Sequence, residues 1–456
     1  MRYQPKTPVI SLGDGFYDAV APAVFPRRAL RFRNAAAARQ VGLDELTDDA
    51  WEAHFAKFEP LPANLPEPLA LRYHGHQFGV YNSRLGDGRG FLFAQLKDDR
   101  GRVLDLGTKG SGRTPYSRGA DGRLTLKGGV REILATSMLE ALGVDTSRSF
   151  SLFETFEGLH RGDEPSPTRS SVLVRLSHSH VRFGTFQRFA FEKDAVRMKK
   201  LVDYVLEHLL PEAASAKDPV AALLGETMRR HARTAAQWMV AGFVHGVLNT
   251  DNMNITGESF DYGPWRFLPT YDPAFVAAYF DESGLYAFGR QPGTVLWNLN
   301  RLAEALRTVE PQLAAGGILE AFEGHFVKEV QTAMLRRLGL KSGGPELDDA
   351  LVAGVFEFLE ASKMGFDQFF FDALGGAPKG ETYAGPGFVA LGQCLEVFEP
   401  RSADPRGHVY FTRSEPVTMV VDEVERVWAA IAEGDDWGPL TEKLVEVGLM
   451  GEALLA

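Results

Sequence analysis

"HGVLNTDNMNITGESFDYG", residues 245–263, decides how the rest of this chain is read. Asn252 and Asp261 offer a carboxamide and a carboxylate oxygen. These are the hard ligands that magnesium takes while it keeps waters and substrate phosphates. Asp251 stands beside Asn252 as a second carboxylate. The plain structural alternative is a pair of polar turns, with "NTDN" as an Asx turn and "DYG" as another.

The spacing favours function over turns. Protein kinases carry H-R-D-L-x-x-x-N and then D-F-G, in which the first Asp accepts a hydroxyl proton and the Asn and second Asp hold metal. Here Asn252 follows His245 by seven positions, and Asp261-Tyr262-Gly263 takes the D-F-G place. The position of the kinase base holds Val247. A chain with this pattern is either an inactive relative of kinases or a kinase-shaped enzyme with other chemistry.

Upstream residues fit the same frame. "LGDGRGFLF" puts Gly86, Gly88 and Gly90 before an apolar run. Such glycines let a backbone approach phosphate oxygens, and they equally suit a hairpin turn. Lys109 ends the strand-like "RVLDLGTK", 23 residues after Gly86, and Glu132 follows another 23 residues later in a helical segment. A strand lysine paired with a helix glutamate positions nucleotide phosphates in kinases. "GTKGSGRT" (107–114) comes near a P-loop but is followed by Pro115 and loop-like sequence, where that motif requires a helix. Arg175 and Arg182 flank "LSHSHV"; arginine suits bidentate phosphate contact, and surface arginines on an edge strand are the alternative. His74, His76, His178 and His180 lack a supporting Cys or carboxylate cluster and read as structural or surface residues.

The texture is that of an α+β chain. Residues 1–65 form an N-terminal extension in which Thr47 caps a short helix and Arg27, Arg28, Arg31 and Arg33 make a solvated basic run on a strand or extended arm. Residues 66–190 are rich in strands: "GRGFLFAQL", "RVLDLG", "SVLVRLS" and "TFQRFAF" are short apolar or alternating runs. One helix interrupts them, with Ile133, Leu134, Met138, Leu139 and Leu142 at helical spacing and Gly143 at its end. Residues 191–456 are helical, as Leu224, Met228, Ala232, Ala235 and Met239 on one face illustrate. A β-rich front, one helix and a helical back follow the order of kinase lobes.

Bulk properties bound the partners. The net charge of −11 argues against nonspecific binding to nucleic acid or anionic membranes. The single cysteine, Cys394, permits no intrachain disulfide, as expected in a reducing compartment. No apolar run approaches the ~18 residues of a membrane span, and the first residues lack a secretory signal block. A cytoplasmic monomer is expected.

With these motifs in hand, the chain resembles the selenoprotein O family, the pseudokinase-like protein adenylyltransferases. The resemblance rests on "GFYDAVAP", "HGHQFG", "LGDGRG", "KGSGRTPYSRGADGR", "RFGTFQ", "HGVLNTDNM", "DYGP" and "FGRQPGTVLWNLNRL", in order from about residue 15 to about 310. It implies a protein-kinase-like bilobal fold. It further implies ATP bound back to front, transfer of AMP to protein Ser, Thr or Tyr hydroxyls, and release of pyrophosphate. Nucleotide contacts would fall on Gly86, Gly88, Arg89, Lys109, Asp121, Gly122, Arg175 and Arg182, with Glu132 pairing Lys109 and Asp261 also at the nucleotide. Asn252 and Asp261 would hold Mg2+, or Mn2+, and Asp251 would accept the proton. Many relatives carry a Cys or selenocysteine near the C-terminus; "GLMGEALLA" has neither, so a redox switch by that route is not expected. A conventional kinase and an inactive nucleotide-binding scaffold remain the alternatives.

Overall fold

A computed structural model describes residues 2–455 apart from 163, 377 and 379. The fold is α+β, an antiparallel sheet joined to a large helical part. The main path through the sheet runs Tyr17–Ala19, Leu69–Leu71, Leu92–Lys97, Val103–Lys109, Thr168–Ser177, Arg148–Leu159 and Ala29–Arg33, and Leu124–Thr125 pairs off it with Thr168–Ser177. The N-terminal segment therefore supplies both edges. Along Val103–Lys109 every residue is buried, because both faces are covered. On one face lies a core of Trp51, Phe55, Phe93, Phe150 and Val174. On the other lies the helix Leu126–Ala141, whose core of Ile133, Leu134 and Met138 continues without a break into Leu224, Met228 and Ala232 of the helical part.

Local signals explain several boundaries. The Thr47 hydroxyl accepts from the Ala50 backbone N–H at 3.3 Å, and the Thr125 hydroxyl from Gly128 at 3.1 Å, so each satisfies a free donor of a helix's first turn. Gly242, left-handed at φ 67°, ends the helix Pro219–Ala241. The helix Gln291–Leu306 buries Val295, Leu299 and Leu302 at helical spacing.

Two expectations fail. "TFQRFAF" lies in a helix, Phe183–Glu192, where a strand was expected. Phe183, Phe186 and Phe189 recur every third residue and are fully buried, a helical face that a seven-residue window reads as alternation. The basic run on Ala29–Arg33 and its flank is paired more than solvated. Arg28 bonds Glu52 at 2.6 Å, Arg31 bonds Glu154 at 2.6 Å, and Arg33 stacks over Trp51 at 4.2 Å.

The C-terminal helices Val421–Gly434 and Gly438–Leu455 return to the helix Leu126–Ala141. Gly451 faces Ala141 so closely that an added Cβ would lie 3.2 Å away, and Lys127 bonds Glu425 at 2.7 Å. Among the described residues, no helix is long and apolar enough to cross a membrane.

Candidate active site

The quoted stretch is a loop tied at both ends. His245 Nε2 donates to the Phe260 carbonyl at 2.9 Å, and the His245 backbone N–H donates to the Gln291 side chain at 3.0 Å. Its histidine is thus an anchor, buried and neutral, with burial lowering its pKa. The loop faces a cleft of about 440 Å³ that is walled by the glycine turn, the end of the lysine strand and the two predicted arginines.

Cations converge there. Lys109 Nζ donates to Glu132 at 2.6 Å and lies 3.8 Å from Asp261. Arg175 bonds one Asp261 oxygen and Arg182 the other; Arg175 also reaches Glu132 at 3.4 Å. Arg175 is a buried residue of a central strand, so the edge-strand alternative does not apply. Arg182 lies over the rings of Tyr73 and Phe260, each at 4.7 Å. The flat guanidinium is thereby fixed in orientation before any ligand arrives. Burial would push Asp261 up, but Arg175, Arg182 and Lys109 together hold it well below the usual carboxylate range. Asp261 adopts a left-handed backbone (φ 64°), a conformation Asp tolerates better than most residues.

Asp251, also shielded from solvent and also near Arg182, differs in its partners and in the direction of its shift. It is 9% exposed, and its Oδ1 has no hydrogen-bond partner among the described residues. Burial pushes its carboxyl up to about 6, against the pull of Arg182. The Arg182 guanidinium instead bonds the Asp251 backbone carbonyl at 2.7 Å. Asn252 donates its Nδ2 to the Val247 carbonyl at 3.0 Å, which turns its Oδ1 away from that bond. Val247 therefore serves the site through its backbone while its side chain lines the cleft.

The glycine turn approaches because it has no side chains there. A Cβ on Gly90 would overlap the Thr108 carbonyl, and one on Gly86 would overlap the Tyr116 ring. Gly86, Gly88 and Arg89 line the cleft. Asp121 and Gly122 do not: Asp121 pairs with Arg161 at 2.8 Å, and Gly122 packs on the Gly112 backbone. Their turn reaches the cleft through Ala120 and Arg118. The histidines rejected as metal ligands are structural; burial drives His178 down to about 3 and His74 to about 4.

Sequence reasoning missed Asp87, Tyr73, Gln77 and Tyr116, all on the cleft wall. Asp87 accepts from the Leu71 backbone N–H at 3.1 Å and lies 3.6 Å from Arg182; burial raises its pKa, opposed by Arg182. A charged residue set between two glycines was the available signal.

Among the described residues no three His, Cys, Asp or Glu side chains cluster as a metal-ligand set. Asn252 Oδ1 and Asp261 are two oxygen donors beside a cationic cleft. Both Asp261 oxygens are held by Arg175 and Arg182, so a magnesium-like ion would fit only by sharing Asp261 with the arginines and completing its shell with water and substrate phosphates, and the set does not fit an ion held by protein alone.

Comparison with known proteins places the chain in a family. The model of the family described as "Protein adenylyltransferase SelO" matches residues 1–377. A protein named "Protein nucleotidyltransferase YdiU" from Gloeobacter violaceus is 46% identical over 461 residues, covering 96% of this chain and 93% of that protein. The protein of the same name from Synechocystis sp. is 44% identical, with 97% of each chain covered. The one from Vibrio cholerae is 39% identical over 79% of this chain and 72% of its own. By a family match over most of its length and relatives of 39–46% identity, the chain belongs to the SelO family of protein adenylyltransferases.

Proposed function

We propose that the chain transfers AMP from ATP to Ser, Thr or Tyr hydroxyls of proteins, with the nucleotide inverted relative to kinases in a kinase-like, two-lobed cleft. Residues 66–190 would form the smaller lobe, 191–456 the larger lobe with a C-terminal extension, and 1–65 an extension packed on both. The carrying observation is Asp251: a buried carboxylate with one oxygen free and a raised pKa, in the same loop that has Val247 at the kinase-base position.

The acceptor oxygen attacks the α-phosphorus, its proton passes to Asp251, and the bond from the α-phosphorus to the bridging oxygen breaks as pyrophosphate leaves. A base poised near the working pH is best matched to such a transfer. Lys109, Arg175 and Arg182 are preset to receive phosphate charge, so little reorganisation is needed as it shifts toward pyrophosphate. Glu132 keeps Lys109 in place. Gly86, Gly88 and Arg89 approach the phosphates from the turn, and Asp121 and Gly122 shape the loop that brings Ala120 to the cleft. Asn252 and Asp261 would hold Mg2+ or Mn2+, which supplies further neutralisation of phosphate charge when bound. The protein would act as a cytoplasmic monomer.

The test is intact-mass analysis after incubation with ATP, magnesium and a protein acceptor. An AMP-sized gain is expected. A phosphate-sized gain would restore the conventional kinase reading, and no gain with intact ATP binding would restore the scaffold.

A further inference from the structure

A second cavity lies back to back with the cleft. Its volume is about 640 Å³, and Phe78, Leu248, Leu285, Tyr286, Gly293 and Trp297 line it. Consecutive residues divide the two at two places. Gln77 and Val247 face the cleft, while the next residue in each case, Phe78 or Leu248, faces the apolar cavity. Asn249 locks this wall: its Oδ1 accepts from the Phe78 backbone N–H at 3.1 Å and from the Tyr286 hydroxyl at 2.7 Å. Asp251 lies two residues further along the same loop. Phe78 holds a left-handed backbone (φ 49°), an uncommon state for a bulky residue that persists only where its surroundings enforce it.

On the lining, Phe78 and Trp297 are 38% and 39% exposed. Beside them Phe280, 48% exposed, packs on Phe78 at 5.9 Å between ring centres, and Tyr279, 81% exposed, packs on Phe280 at 5.1 Å. Grouped exposed apolar side chains mark binding surfaces more often than scattered ones. The occupant follows from the reaction. The acceptor is a polypeptide whose hydroxyl must reach Asp251, so its neighbouring residues lie on the surface around that carboxylate. An extended chain advances ~3.3–3.6 Å per residue, enough to cross this wall within a few positions. Arg290, also on the lining, disfavours a cationic side chain.

We propose that this cavity is an acceptor subsite that takes an aliphatic or aromatic side chain of the protein substrate, at a fixed offset from the modified hydroxyl. The inference rests on the adenylyl-transfer reading above.

The test uses the full chain, ATP, magnesium and short synthetic peptides with one central Ser, with Leu, Ala or Lys placed at each flanking position in turn. At one offset, Leu is expected to lower the peptide KM about tenfold relative to Ala, as an apolar pocket discriminates, and Lys to remove the gain. Gly293→Phe fills the cavity where an added Cβ meets nothing within 4 Å. In that variant the Leu and Ala peptides should have equal KM, with the KM for ATP unchanged. Trp297→Ala, which opens one wall, should weaken the Leu preference independently. A wild type indifferent to flanking residues would overturn the subsite, as would a Leu preference that survives both variants. So would Gly293→Phe splitting a dimer, since a second copy would then be the occupant. Absence of AMP on every peptide and on a protein acceptor alike would instead overturn adenylyl transfer itself.

Discussion

The turns around Asp251 and Asp261 belong to one loop and hold one carboxylate each largely out of solvent, yet they have opposite electrostatics. Asp261 sits among Lys109, Arg175 and Arg182 and is held well below its ordinary value near 3.8. Asp251 has a free oxygen and is pushed up to about 6. Burial acts on both in the same sense; the difference is the cations. Pairs of acids driven apart in this way separate into a permanent charge and a proton acceptor. Asp261 organises the cleft, and Asp251 is left free to react.

The largest expected effect breaks the organised side. Asp261→Asn leaves three buried cations without their shared partner, a change that costs ~3–5 kcal/mol in buried ion clusters. Melting temperature should fall and AMP transfer should vanish. The sign of the pH dependence follows from the lowered pKa. The stability Asp261 supplies is complete above about 3.8 and is lost as the pH falls toward its folded value. Acid titration of the variant should therefore lack part of the wild-type loss.

Next comes the reactive side. Asp251→Asn should lower kcat by ~10²–10⁴, the usual worth of a general base, with ATP affinity retained. Its stability should move the other way. A carboxyl with a raised folded pKa destabilises the protein as the pH rises past 3.8, and fully above about 6. The variant should gain up to about 3 kcal/mol at pH 8, from 1.36 kcal/mol per pKa unit, and nothing at pH 3.5. Wild-type kcat/KM should rise with an apparent pKa near 6 that the variant lacks. Loss of stability in Asp251→Asn would break the contrast between the two acids.

Smaller effects sharpen it. Glu132→Gln removes the 2.6 Å partner of Lys109 but leaves Asp261 3.8 Å away. Lysine should stay in the cleft less firmly, with kcat/KM for ATP falling about 10–100-fold, the scale of one misplaced charge contact. Asp121→Asn should raise the KM for ATP only about two- to fivefold with kcat unchanged, because an ion pair as exposed as Asp121–Arg161 is worth ~0.2–1 kcal/mol.

These contrasts were partly legible beforehand. The spacing of His245, Asn252 and Asp261, and the equal intervals from Gly86 to Lys109 to Glu132, follow from local elements of fixed length, so sequence carries them. The roles of Tyr73 and Asp87 depend on where Leu69–Leu71 pairs within the sheet, which brings them to Arg182 through non-local contacts. The helix at Phe183–Glu192 was misread because its three buried phenylalanines repeat within too few residues to separate the two periods. The return of the last two helices onto Leu126–Ala141 leaves no local trace, since it rests on a close approach of Gly451 to Ala141.

The most direct test is parallel incubation with ATP labelled at the α- or at the γ-phosphorus, followed by separation of the modified acceptor protein. The account predicts that only the α-label is retained on the acceptor, and that Asp251→Asn slows its transfer by ~10²–10⁴-fold. Retention of the γ-label would mean that the terminal phosphorus faces the acceptor, and would contradict it.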